Sequence, residues 1–258
     1  MEQLKDLVRS YEVLQETRLK AENQLRALNG IKASRVLEKL RELKSIENTL
    51  TYEMKKELQK YDEYNLFLSQ VHGVGPTLAA KLMVLELDPS KHLSSWNAFF
   101  GLVPKYWIME CEDKHKYAHP RNTKECPVCG KAPVKFQEVI GAPRKQKGVR
   151  MFFSTKSKAL YYLIGTQFVK SGKFYKRFYY QVKTRKQQQY PDYPAGRLHY
   201  QALRSTFKLF LAHYYEVKRE VYGLPPEKPY QFEYMEGHDY ISYHQVLAFE
   251  NGEVEDAV

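Results

Sequence analysis

The sequence predicts a mainly α protein: an N-terminal antiparallel coiled-coil helical arm, a helix-hairpin-helix core, a small zinc-stapled loop and a C-terminal helical layer. Three observations carry this. Apolar residues recur at steps of three and four through residues 4–61. A Gly-x-Gly-Pro turn then joins two apolar stretches. All 3 cysteines fall in a polar stretch with little helical periodicity. The expected divisions are the arm (1–66), a helix-hairpin-helix region (67–107), a zinc-binding loop (108–140), a basic, aromatic-rich helical region completing the core (141–232) and a C-terminal tail (233–258).

In the arm, Leu4, Leu7, Tyr11, Leu14, Ala21, Leu25 and Leu28 form one stripe, with Arg18 its single polar member. Asn29-Gly30 ends that helix. A second stripe runs through Val36, Leu40, Leu43, Ile46, Leu50, Met54, Leu58 and Tyr61. Heptad spacing suits packing within one chain or between chains, so a homodimer or higher oligomer is expected through this arm.

Val71-His72-Gly73-Val74-Gly75-Pro76 follows, leading into a helix from about Thr77. Glycine permits the backbone angles that bring a turn close to a phosphate, and amides at the next helix's N-terminus can bind the anion. Gly73 and Gly75 are therefore candidate phosphate contacts, with Lys81 one turn inside that helix. The same turn could equally join two packed helices. Residues 93–103 read as a short helix ending at Gly101.

Cys126-Pro127-Val128-Cys129-Gly130 has the form of a metal knuckle, aiming two thiolates at one tetrahedral centre. Cys111 and one histidine would complete a Cys3His site. His115 is preferred because it is nearer, and His119 is the alternative. Four protein ligands leave no open position for water, so the expected zinc is structural. The loop is otherwise too polar to fold unaided, and metal is expected to supply its core.

Between Glu138 and Asp192 there is no acidic residue. That stretch holds Arg144, Lys145, Lys147, Arg150, Lys156, Lys158, Lys170, Lys173, Lys176, Arg177, Lys183, Arg185 and Lys186. Between them stand Phe152, Phe153, Tyr161, Tyr162, Phe174, Tyr175, Phe178, Tyr179 and Tyr180. Cations neutralise phosphates and release counterions, while aromatic faces stack on bases or fill a core. Helical periodicity runs from Phe152 to Val182. After the Tyr190–Pro194 loop, a strong helix extends from about Gly196 to Tyr222. No pattern is evident beyond Tyr230, and the final GEVEDAV suggests a frayed tail.

Composition sets the partners. With 43% hydrophobic residues the chain can bury a core, and a net charge of +11 favours polyanions. DNA is the expected partner, with RNA second. No apolar run approaches the ~20 residues needed to span a bilayer, and the charged start argues against a signal peptide. A Cys-x2-Cys without a disulfide framework points to a reducing cytoplasm, and DNA binding there to the nucleoid. Phosphate-binding loops, GxSxG, HExxH and paired carboxylates for magnesium are absent from the sequence, so no catalytic residue is assigned.

From Val71 onward the order of features resembles the C-terminal domain of IS-one-ten class insertion-sequence transposases. Val71-His72-Gly73-Val74-Gly75-Pro76-Thr77-Leu78-Ala79-Ala80 is similar to that family's P-G-I-G-P-x-x-A, and Ala98-Phe99-Phe100-Gly101-Leu102-Val103-Pro104 to its A-Y-A-G-L-x-P. His199-Tyr200-Gln201-Ala202-Leu203-Arg204 through Phe207–Leu211, then Gly223-Leu224-Pro225 and Pro229-Tyr230, resembles the closing helix and ending of archaeal members. The family joins a RuvC-like nuclease domain to this domain, which supplies a serine nucleophile guided by a structured RNA. Here the chain starts at the arm, and Lys105-Tyr106-Trp107-Ile108-Met109-Glu110 stands where the family carries its serine- and glycine-rich segment. Ser154, Ser157 and Ser171 come later without an identifiable base. The resemblance thus implies a DNA-binding platform without recombinase activity, and its rivals are a recombinase subunit needing a separate nuclease partner or a structured-RNA-binding module.

Overall fold

The computed structural model describes residues 1–27, 34–227 and 240–254. They fall into two compact units, Met1–Leu87 and Asp88–Val258. Both are mainly helical, and the second also carries a small four-stranded sheet. The expected Asn29-Gly30 turn, Leu28 and the Pro229-Tyr230 ending lie outside the described residues.

In the first unit α1 (Glu2–Ala27) and α2 (Ser34–Leu58) pack side by side, and α3 (Pro76–Met83) lies against both. Leu4, Val8 and Tyr11 of α1, Met54 and Leu58 of α2, and Ala79, Ala80, Leu82 and Met83 of α3 are buried. Phe67 and Leu68, in a single π-helical turn over Tyr64–Leu68, join them. The expected stripe on α2 needs correction, because Val36 and Ile46 are exposed while Glu47 is buried. The cause is Arg18, the one polar member of the α1 stripe. Its guanidinium takes both oxygens of Glu47 at 2.6 and 3.0 Å and Glu22 at 2.5 Å. With Arg18 and Glu47 only 12% and 8% exposed, the pair sets which face of α2 turns inward. Replacing Arg18 by alanine should destabilise the protein by about 2–3 kcal/mol, because Glu47 is left buried and unpaired. The double replacement Arg18→Met with Glu47→Met should fall within about 1 kcal/mol of wild type in urea unfolding. Equal losses in both variants would mean the pair does not act as a unit.

The second unit is built round α7 (Ala195–Val221), whose long apolar face receives α4 (Leu93–Phe99), α5 (Thr155–Ser171) and α6 (Phe174–Gln189). Aromatic edges make the joints. Trp96 meets Tyr215 edge-on at 5.0 Å, Phe100 and Tyr161 meet Phe207 at 5.2 and 5.4 Å, and Phe168 meets Phe210 at 5.2 Å. Such pairs add about 0.5–1.5 kcal/mol each beyond the area they bury. At the α5–α7 crossing a Cβ on Gly165 would stand 2.9 Å from the Leu203 side chain, so any larger residue there would force Leu203 to shift. The periodicity expected from Phe152 to Val182 is divided at Gly172, which caps α5 in an extended conformation.

Two expectations are overturned in this unit. The segment read as a loop over 108–140 is largely sheet: β1 (Lys105–Cys111), β2 (Lys116–His119) and β3 (Pro133–Ile140), with β4 (Val149–Arg150) completing the order β3-β1-β2-β4. β1 pairs antiparallel with β2 and β3, and β2 pairs parallel with β4. Edge strand β3 shows no inside–outside alternation, since Phe136 and Ile140 are 62% and 85% exposed, so the usual sequence signal of a strand is absent. The sheet also has a small core of its own, Met109, Cys111, Tyr117 and Cys126, with Trp107 packed against it. The expected C-terminal tail likewise contains α8 (Tyr243–Asn251), opened by a Ser242–Gln245 capping box. Buried Glu250 of α8 accepts the first amide of α6, Phe174 N–H, at 3.1 Å.

The sheet-bearing segment leaves and rejoins the helices at one place. The Ser154 amide donates to the Phe99 carbonyl at 3.1 Å, and Gly101 lies against the Phe153 ring.

Candidate metal centre and basic face

The end of β1 delivers Cys111, the turn after it His115, and the loop between β2 and β3 delivers Cys126 and Cys129. Their ligand atoms all lie within 4.8 Å of one another, close enough to bind one metal ion. Cys111 Sγ stands 3.6 Å from Cys129 Sγ and 3.5 Å from His115 Nδ1, and Cys126 Sγ stands 3.9 Å from that nitrogen. His119 is outside the group: its Nδ1 accepts the Arg121 amide at 3.1 Å. Burial pushes the Cys126 thiol up, but the Cys129 and Val128 amides, with the neighbouring Cys129 and Cys111 thiols, outweigh it and bring it down. Amides pointed at a sulfur in this way hold the thiolate that a metal requires.

The basic residues fall into three sets. Arg144, Lys145 and Lys147 are exposed in the connection between β3 and β4, and Arg150 is exposed on β4. Lys156 and Lys158 lie in the first turn of α5. Lys173, Lys176, Arg177, Lys183, Arg185 and Lys186 lie at the cap of α6 or along it. On α6, Lys173, Arg177, Tyr180 and Thr184 form one exposed stripe, with Tyr180 49% exposed. Among the described residues, Arg144, Lys145, Lys147, Arg150, Lys170, Lys176, Lys183, Arg185 and Lys186 form no ion pair. Of the interleaved rings, Tyr162 and Tyr180 are exposed, whereas Phe153, Tyr161, Phe174, Tyr175 and Tyr179 are buried.

The glycine turn has a more limited reach. Gly73 needs its φ of +98°, and Gly75 opens α3 with free space where a Cβ would stand. Pro76 has no N–H, and the Leu78 and Ala79 amides both bond the Gly75 carbonyl at 3.0 Å. Among the described residues, Thr77 N–H is then the one first-turn amide of α3 without a backbone partner. Lys81 is turned inward to Glu12 at 3.5 Å, above the Tyr11 ring.

The serines have structural places: Ser154 caps α5, Ser171 bonds back to the Gln167 carbonyl, and Ser157 is fully buried with no partner for its hydroxyl among the described residues.

No family model and no curated protein matches this chain. Among the described residues, no helix is long and apolar enough to cross a membrane.

Sequence inspection missed Arg204 and Lys208, half-buried on α7. Burial and the neighbouring Arg204 charge push Lys208 down to about 8. Holding that ammonium charged penalises folding in full below about pH 8, and the penalty fades as pH rises from there toward the ordinary lysine value. The only signal in the sequence was their spacing of four on a helix otherwise rich in aromatics.

Proposed function

We propose that this chain is a transposase-derived nucleic-acid-binding protein that grips the phosphate backbone or DNA shape, with a structural zinc bracing its sheet. One observation carries it: the acid-free segment between Glu138 and Asp192 displays exposed Arg144, Lys145, Lys147, Arg150 and Arg185, none of which forms an ion pair among the described residues. Structural surface cations are commonly interleaved with acids, whereas a phosphate-binding face leaves them open to the ligand. Exposed Tyr180 and Tyr162 supply flat faces beside those charges. The motifs from Val71 to Pro104 and along α7 support transposase descent. Coiled-coil pairing of α1 and α2 between copies and a helix-hairpin-helix role for the Gly73–Gly75 turn belong to the same proposal.

The metal is assigned to zinc by ligand chemistry. Thiolates at about 2.3 Å and an imidazole nitrogen at about 2.0–2.1 Å from a tetrahedral zinc stand roughly 3.5–3.8 Å apart, close to the separations found here. Bound zinc would tie β1 to the β2–β3 loop and hold both in register.

Fluorescence anisotropy on linear duplex, four-way junction, single-stranded DNA and structured RNA, each across a salt series, tests the function. Submicromolar binding whose logarithm falls steeply with log salt is the expected result. Preference for structured RNA would favour the RNA-binding alternative. Micromolar or weaker binding to all four at low salt would overturn the proposal.

A further inference from the structure

The second unit buries positive charges beside one another. Arg204 and Lys208 stand one turn apart on α7, and neither forms an ion pair or side-chain hydrogen bond among the described residues. Lys158 of α5 is also half-buried. Its ammonium donates to the Pro143 carbonyl and lies 4.6 Å above the Phe153 ring, and the charges of Arg204 and Arg144 bear on it. Among the described residues, the polar groups acting on Arg204 and Lys208 are a cation and the Tyr161 hydroxyl, with no carboxylate among them. One turn N-terminal on the same stripe of α7, Gln201 Oε1 is buried with no hydrogen-bond partner among the described residues. Oxygen and nitrogen of such an amide are interchangeable by rotation, so this position can present an N–H as readily as an acceptor.

Clustering half-buried like charges is unfavourable unless an anion completes the set. We infer that Arg204, Lys208 and Lys158 form a binding site for a single phosphate group, with Gln201 and Arg144 at its margin. A guanidinium offers a planar fork to two phosphate oxygens, and each ammonium adds a point charge with freely turning donors. Under the function proposed above, on which this identification of the source rests, the group is one phosphodiester of a nucleic-acid backbone. Free phosphate would satisfy the same chemistry.

The test melts the full chain in phosphate-free buffer against inorganic phosphate, with ionic strength held constant by chloride. Wild type should gain about 2–5 °C at phosphate concentrations well above its Kd. Lys208→Met and Arg204→Gln should lose that gain while melting cooperatively, at a temperature no lower than wild type without phosphate, because each removes a like charge. In parallel, duplex anisotropy should show about a tenfold loss of affinity for each variant and a salt slope shallower by about one. Loss of the phosphate response with unchanged duplex affinity would retain the site and assign it to free phosphate. Failure of wild type to respond to phosphate beyond chloride would overturn the site, and would leave the basic face to be judged by the anisotropy series alone.

Discussion

Replacing Arg144, Lys145 and Lys147 together with glutamate should weaken duplex binding by at least about 100-fold at moderate salt, and flatten the salt dependence by about three in log–log slope. The size follows from position. All three side chains are exposed in the β3–β4 connection and none is held in an ion pair among the described residues, so each is available to a phosphate. Reversal both removes three attractions and installs three repulsions. For the same reason the variant should keep its melting temperature, since surface charges without partners contribute little to folding. Anisotropy and thermal melting on the same preparation separate the two effects. A variant that binds as well as wild type would reduce the basic face to a solvated surface.

Removing the metal should have the largest effect on structure. Cys126→Ala, or chelation of wild type, should release one zinc per chain and loosen β1, β2 and β3 by on the order of 5–10 kcal/mol of local stability. Cys126 is itself part of the sheet's small core, so the metal site and that core would fail together. Hydrogen exchange resolved by segment gives the readout. Amides of β1 and β3 should exchange rapidly, while those of α5, α6 and α7 stay protected, because the aromatic joints of those helices contain no cysteine. Persistent protection in β1–β3 after complete metal loss would show that strand pairing alone holds the sheet.

The parts visible in the sequence were those fixed by local chemistry. Cys-Pro-x-Cys-Gly constrains two ligands by the turn it forms, so the centre could be found by spacing, and His115 lay within reach of it. The α7 helix was equally plain, because one unbroken apolar face meets one core. What escaped depended on partners distant in sequence. β3 exposes most of its side chains and is held by backbone pairing to β1, which leaves no apolar alternation to read. The face of α2 is turned by a guanidinium on α1, which an apolar pattern cannot report. Nothing in the sequence sets Arg204 and Lys208 apart from any two cations spaced four apart on a helix. Their meaning comes from α5 crossing close enough, at Gly165, to bring Lys158 beside them.

The hydrogen bond from Ser154 to Phe99 makes the sheet a detour whose exit and return coincide. Chain length between those two points is then free to vary without moving α4 away from α5, because the gap to be bridged is a single amide–carbonyl contact. Segments of different size, or none beyond a tight turn, fit the same helical frame, and a lengthened excursion adds only slowly to the entropy of closure. The metal-bearing sheet is in that sense a cassette carried by the helical body, open to replacement over time while the frame that carries it persists.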